Sequence, residues 1–152
     1  MHLPHSRVTV RICVGKEWYR FPSSFFLPSA RYELSFIESG FKGLLPKPFE
    51  LINGTSVIPT EMNDQNREEP SRYVPVSTCH YLIDLDLPHQ SEPHYAADSQ
   101  HWETLLAVPF LDAHHSPKQL YRALWVPTLS EHYNAYAPYV LLANKALRGA
   151  KH

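Results

Sequence analysis

CVGKEWYRFPSSFFLP, residues 13–28, joins a strand pattern to a cluster of aromatic and charged side chains, and the fold class turns on how that junction is read. Leading into it, Val8, Val10, Ile12 and Val14 alternate with Thr9, Arg11 and Cys13, the period of two that marks a half-buried strand. Gly15 ends the alternation. Beyond it, Trp18, Tyr19, Phe21, Phe25 and Phe26 follow neither a helical nor a pleated spacing, and Pro22 bars a continuous helix across them. The stretch therefore reads as a packed loop, and so much aromatic area must lie against a core or face a ligand.

Working outward, Tyr32, Leu34 and Phe36 alternate with Glu33 and Ser35 and predict a second strand. In GFKGLLPKPF (40–49), Pro46 and Pro48 push Leu45 and Lys47 toward extended conformations. Asn53-Gly54, between PFELI and TSVIP, predicts a two-residue hairpin turn, and Asn53-Gly54-Thr55 is also a glycosylation sequon. PTEMNDQNREEPSRY (59–73) is the most polar stretch and reads as a solvated loop with one helical turn before Pro70. Its carboxylates, amides and arginines are also the groups that bind hydroxyl-rich ligands, with aromatics to stack on sugar faces.

STCHYLIDLDLP (77–88) predicts a strand with Tyr81, Ile83 and Leu85 on one face and His80, Leu82, Asp84 and Asp86 on the other. Asp84-Leu85-Asp86 matches the D-x-D of metal-dependent sugar transferases, but strand alternation generates that spacing freely. No βαβ repeat or glycine-rich loop accompanies it. DSQHWETLLAV (98–108) predicts a helix from the spacing of Trp102, Leu105 and Leu106, capped by Asp98 or Ser99 and stopped by Pro109. A short helical piece is expected over 116–124, and strands over LWVP (124–127) and YAPYVLLAN (136–144).

With 152 residues, 14 prolines and only 5 glycines, the chain favours strands and turns over long helices. The expected fold class is α+β, predominantly β: a single antiparallel-sheet-rich domain over residues 1–152 with one or two short helices and no transmembrane helix. Residues 1–7 and 146–152 are expected to be disordered. A net charge of -1 supplies no field for nucleic acid. The start, MHLPHSR, lacks the apolar core of a signal peptide, so the isolated chain reads as cytosolic or as a piece of something larger.

Cys13 and Cys79 are the only cysteines and read either as buried small hydrophobes or as one disulfide. The ten histidines show no metal-ligand spacing, so neither metal nor cofactor is expected. No nucleophile with an oriented base, paired carboxylates or phosphate cradle stands out, and no catalytic residue is assigned.

CVGKEWYRFPSSFFLP, GFKGLLPKPF, PTEMNDQNREEPSRYV, CHYLIDLD and the long stretch 109–142, in that order, resemble the C-terminal luminal region of the dolichyl-phosphate-mannose-dependent α-1,2-mannosyltransferases of N-glycan precursor assembly. The resemblance runs from about Cys13 to Leu142. It implies part of a multi-spanning enzyme of the endoplasmic reticulum membrane, glycosyltransferase family 22, whose catalytic loop and spans are not in this chain. The implied partners are the membrane part of the full-length enzyme and the lipid-linked oligosaccharide acceptor. On that view Lys16, Glu17, Trp18, Tyr19 and Arg20, with Asn63, Asp64, Asn66 and Arg72, are the candidate substrate-binding residues. A luminal setting also makes Asn53 a glycosylation candidate and permits a Cys13–Cys79 disulfide. The competing expectation is a purely structural or partner-binding domain without carbohydrate contact, in which Trp18, Tyr19 and Phe25 are buried.

Overall fold

The computed structural model describes residues 9–16, 24–40, 42–47, 50, 52, 54, 56–87 and 91–148. Among them are five strands and three short helices, so the fold is predominantly β. The chain divides into two compact units, Met1–His80 and Tyr81–Lys151.

In the first unit, β1 (Val10–Val14) and β2 (Tyr32–Phe36) pair in parallel, from Val10 opposite Tyr32 to Val14 opposite Phe36. A parallel pair requires a long crossover, which explains why the aromatic stretch lies between them. The ladder extends past β2, where the Ile37 N–H donates to the Val14 carbonyl (3.1 Å) and the Val74 N–H to the Phe36 carbonyl (2.8 Å). Val10, Cys13, Val14, Phe36, Ile37, Leu45 and Cys79 are buried. Cys13 is buried as fully as Val14, so β1 is covered on both faces, not on one as its alternation suggests.

Cys13 and Cys79 form a disulfide with a Cα–Cα distance of 5.7 Å, and neither residue is exposed. Next to it, the His80 N–H donates to the Arg11 carbonyl (2.9 Å) and the Arg11 N–H donates to His80 Nδ1 (3.1 Å). Arg11 Nη1 also reaches Thr78 Oγ1 (3.0 Å). The chain on either side of the disulfide is thus held by hydrogen bonds as well as by sulfur.

The second unit is an antiparallel sheet in the order β3 (Tyr81–Leu85), β5 (Ala135–Asn144), β4 (Trp102–Asp112). Leu82 lies opposite Leu142 and Asp84 opposite Val140, while Trp102 lies opposite Asn144. All six of these residues are buried, and cross-strand partners share a face, so one side of the sheet is covered over β3 and the C-terminal half of β5, while β4 is exposed from Glu103 to Pro109. Pro109 faces Pro138, and the Asp86 N–H donates to the Pro138 carbonyl (3.0 Å). Pro138's missing donor therefore falls just past the end of β3, where it costs only the reciprocal bond to the Asp86 carbonyl at the end of the ladder.

The helix expected over 98–108 is not formed; β4 takes its place. Asp98 does act as a turn-former: its carboxylate accepts from the His101 N–H (3.3 Å) and its carbonyl from the Trp102 N–H (3.0 Å). The turn stops there because pairing with β5 satisfies the backbone from Trp102 onward. A register shift between Thr104 and Leu106 leaves Leu105 as a bulge, which breaks the period of two and places Trp102, Leu105 and Leu106 at a spacing that imitates a helix.

The helical piece expected over 116–124 contracts to α1 (Gln119–Ala123), with Pro117 outside it. The strand expected at 124–127 is instead a turn leading to α2 (Leu129–Tyr133). Its backbone bonds to Ser130 and cannot join a sheet: Ser130 Oγ accepts from the Val126 N–H (2.8 Å) and donates to the Leu124 carbonyl (3.2 Å). β5 continues directly into α3 (Lys145–Arg148). No helix among the described residues is long and apolar enough to cross a membrane.

Candidate functional site

The polar loop 59–73 is ordered by its own side chains. Asn63 Oδ1 accepts from the Arg67 N–H (2.8 Å) while its Nδ2 donates to the Arg67 carbonyl (3.0 Å), closing one turn of chain. Asn66 Oδ1 accepts from the Leu44 N–H (3.0 Å), tying the loop to the proline-rich stretch. Asn66 sits at φ 50° and Glu61 at φ 59°, left-handed conformations that Asn tolerates better than most side chains. Glu69 accepts from the Ser71 N–H (3.2 Å) and caps a 3-10 turn over Pro70–Arg72. The helical turn anticipated before Pro70 thus begins at Pro70 itself, whose missing N–H costs nothing there.

Arg72 is buried, and its Nη2 donates to the Thr60 carbonyl (3.1 Å), closing the loop at its base. Lys42, Glu68 and Tyr73 form a network that sequence reasoning does not anticipate. Lys42 Nζ donates to Glu38 (3.0 Å) and to Glu68 (2.9 Å), and the same Glu68 oxygen accepts from the Tyr73 hydroxyl (2.9 Å). The Glu68 and Glu38 hydrogen bonds raise the Lys42 ammonium above its ordinary value, and Lys42 in turn lowers the Glu68 carboxyl. Burial first, then the bond to Glu68, pushes Tyr73 up to about 12 from 10.0. The only sequence signal was the i,i+4 spacing of Glu38 and Lys42.

A raised phenol pKa stabilises the folded state below pH 10.0, and that contribution is lost as pH rises from there through about 12. Tyr73→Phe removes the dependence. In alkaline unfolding followed by circular dichroism, the parent is expected to lose stability more steeply between these values than the variant; parallel curves would refute the assignment.

Of the candidate residues, Asn63, Asn66 and Arg72 lie in one ordered loop and spend hydrogen-bonding groups on its structure. Asp64 is exposed in the same loop, and Lys16 is half-buried in the turn after β1. Glu17, Trp18, Tyr19, Arg20 and Asn53 lie outside the described residues. At the expected hairpin, Glu50 and Gly54 form a single antiparallel bridge, which encloses three residues and makes Gly54 a paired position, not the second of a two-residue turn. Phe25 is 85% exposed and meets Phe26 edge-on at 5.3 Å, so this part of the aromatic stretch faces outward.

In the second unit, Asp84 is buried in β3, whereas the Asp86 carboxylate accepts from His94 Nδ1 at 2.7 Å. Equivalent pairs join His101 to Asp98 and His115 to Asp112, each at 2.7 Å. The His101 hydrogen bond holds the Asp98 carboxyl below its ordinary value. Among the described residues no three His, Cys, Asp or Glu side chains converge as a metal-binding group.

No family model and no solved structure matches the chain. Curated relatives do. The alpha-1,2-mannosyltransferase ALG9 of Mus musculus is 54% identical over 136 residues, covering 88% of this chain and 22% of its own length. The Homo sapiens protein of the same name gives the same identity and coverage. Alpha-1,2-mannosyltransferase algn-9 of Caenorhabditis elegans is 45% identical over 137 residues, covering 82% of this chain and 23% of its own length. The chain spans about a fifth of the length of these relatives. Across that segment, it is a member of the sequence family of the ALG9 alpha-1,2-mannosyltransferases.

Proposed function

We propose that this chain is the luminal C-terminal portion of a dolichyl-phosphate-mannose-dependent mannosyltransferase of the endoplasmic reticulum, which serves recognition of the lipid-linked oligosaccharide acceptor and does not carry out mannosyl transfer by itself. The observation that carries the reading is the 54% identity to named α-1,2-mannosyltransferases over most of the chain. The buried disulfide fits an oxidising lumen, where the sequon at Asn53 would be a substrate for glycosylation. In this reading the rigid loop 59–73 presents Asp64, while Lys16, Glu17, Trp18, Tyr19 and Arg20 supply the aromatic and charged groups. Asn63, Asn66 and Arg72 act one step removed, by fixing the loop.

Titrating the chain with a mannose-rich oligosaccharide by calorimetry tests this. Saturable binding is expected, weakened about tenfold in Trp18→Ala, the scale of one lost aromatic stacking contact. Absence of binding by the parent chain would sink acceptor recognition. It would favour the second reading, a supporting domain, for which the internal bonds of Asn63, Asn66 and Arg72 already speak. The exposure of Phe25 counts the other way, since a purely structural role expects that ring in the core.

A further inference from the structure

Arg72 is 7% exposed, and of its guanidinium nitrogens only Nη2 has a partner, the Thr60 carbonyl at 3.1 Å. Nε and Nη1 are buried with no hydrogen bond among the described residues. A guanidinium is always charged, and one neutral carbonyl offsets little of the cost of taking that charge out of water. Buried donors left without an acceptor are rare in folded chains, and each calls for a further partner.

The acceptor that Arg72 does have is held there by strained backbone. Glu61 sits at φ 59°, and the Thr60–Glu61 peptide is the one whose carbonyl meets Nη2. The left-handed region suits Asn66 in the same loop, but it suits a glutamate poorly. Turning that planar peptide over changes ψ of Thr60 and φ of Glu61 together. It carries Glu61 into the extended region, relieves the strain and takes the carbonyl away from Arg72. Little packing opposes the motion, because Val57, Ile58 and Met62 on either side are exposed, Ile58 to 85%.

The carboxylates of the loop decide what replaces the carbonyl. Glu68 is taken by Lys42 and Tyr73, and Glu69 by the Ser71 N–H. Asp64 lies inside the turn that the two Asn63–Arg67 bonds close. Glu61 remains: its carboxylate meets the Thr60 hydroxyl, on the same residue whose carbonyl Arg72 holds. An anion from solution is disfavoured, since the loop carries Glu61, Asp64, Glu68 and Glu69 against two arginines. We propose that the Thr60–Glu61 peptide is a two-state strap. In one state the Thr60 carbonyl holds Arg72; in the other that carbonyl turns away and the Glu61 carboxylate closes on the guanidinium as a charge-assisted pair. The loop from Asn63 onward keeps its own bonds in both states, so the exchange is confined to its base. The proposal stands whether or not the chain touches oligosaccharide.

The test is NMR relaxation dispersion on the full chain, which detects exchange on the microsecond-to-millisecond scale. The Glu61 amide and the Arg72 Nε–H are expected to exchange at one shared rate, while the amides of Asn63 to Arg67 do not. Glu61→Gln keeps the strain but loses the charge, and should lower the population of the second state about tenfold, the difference between a charge-assisted and a neutral hydrogen bond. Glu61→Gly removes strain and carboxylate together, and the exchange should vanish. Asp64→Asn, a charge change in the same loop, should leave it untouched. Because Glu61 and Asp64 are exposed, all three variants are expected to fold as the parent does. Absence of exchange at Glu61 and Arg72 in the parent overturns the proposal, as does exchange unchanged in Glu61→Gln. Exchange spread through Asn63 to Arg67 also overturns it, by showing a general loosening of the loop.

Discussion

Replacing Cys13 and Cys79 together by Ala should lower the unfolding free energy by about 4 kcal/mol, the chain-entropy value for a loop of this length. The disulfide closes a sequence separation of 66 residues, which contains β2, the proline-rich stretch and the whole of loop 59–73. Restricting the unfolded ensemble of so long a loop is the source of that stabilisation. Urea unfolding with and without reductant is the measurement. The oxidised parent should unfold at higher urea than the reduced parent, and the doubly substituted variant should be indifferent to reductant. Equal midpoints for oxidised and reduced parent would refute the argument. Alanine is the proper substitution, because serine would bury a hydroxyl at two sites with no exposure and confuse loss of the link with a new polar cost.

What could be read from sequence follows how far each residue's partner lies from it. β1, β2, β3 and β5 announce themselves through runs of Val, Ile, Leu and Tyr, because their pattern is local. β4 does not: its bulge at Leu105 destroys the alternation, and only the facing residues of β5, which are far along the chain, make it a strand. The polar loop shows the same limit in the site. The side chains of Asn63, Asn66 and Arg72 suit sugar hydroxyls, yet the same donors and acceptors suit backbone groups. Which they serve depends on Leu44, Arg67 and Thr60 lying within 3.1 Å or less. The Lys42–Glu68–Tyr73 network was illegible for the same reason, since Lys42 and Glu68 are 26 positions apart. In the sequence, Trp125 reads only as part of an expected strand over 124–127. Its exposure follows from Ser130 capturing the backbone on both sides of it, a bond that no periodicity announces.

Leu142→Ala should cost about 3 kcal/mol, within the range measured for truncating a fully buried leucine. Leu142 has no exposed surface and occupies the middle strand of its sheet, between Leu82 of β3 and Thr104 of β4. Relaxation around the lost atoms is restricted there, because hydrogen-bonded neighbours flank β5 on both edges over its central residues. Leu82→Ala removes a side chain of equal burial from the same face and should cost a similar amount. The double variant discriminates between packing and mere hydrophobicity. If each leucine contributes only its own transfer from water, the two costs add. If they pack on one another across the strands, the second truncation loses contacts already gone, and the pair should cost about 1 kcal/mol less than the sum. Urea midpoints of the four proteins, parent included, complete the cycle, and strict additivity would show that the face shared by Leu82 and Leu142 is not a packed contact.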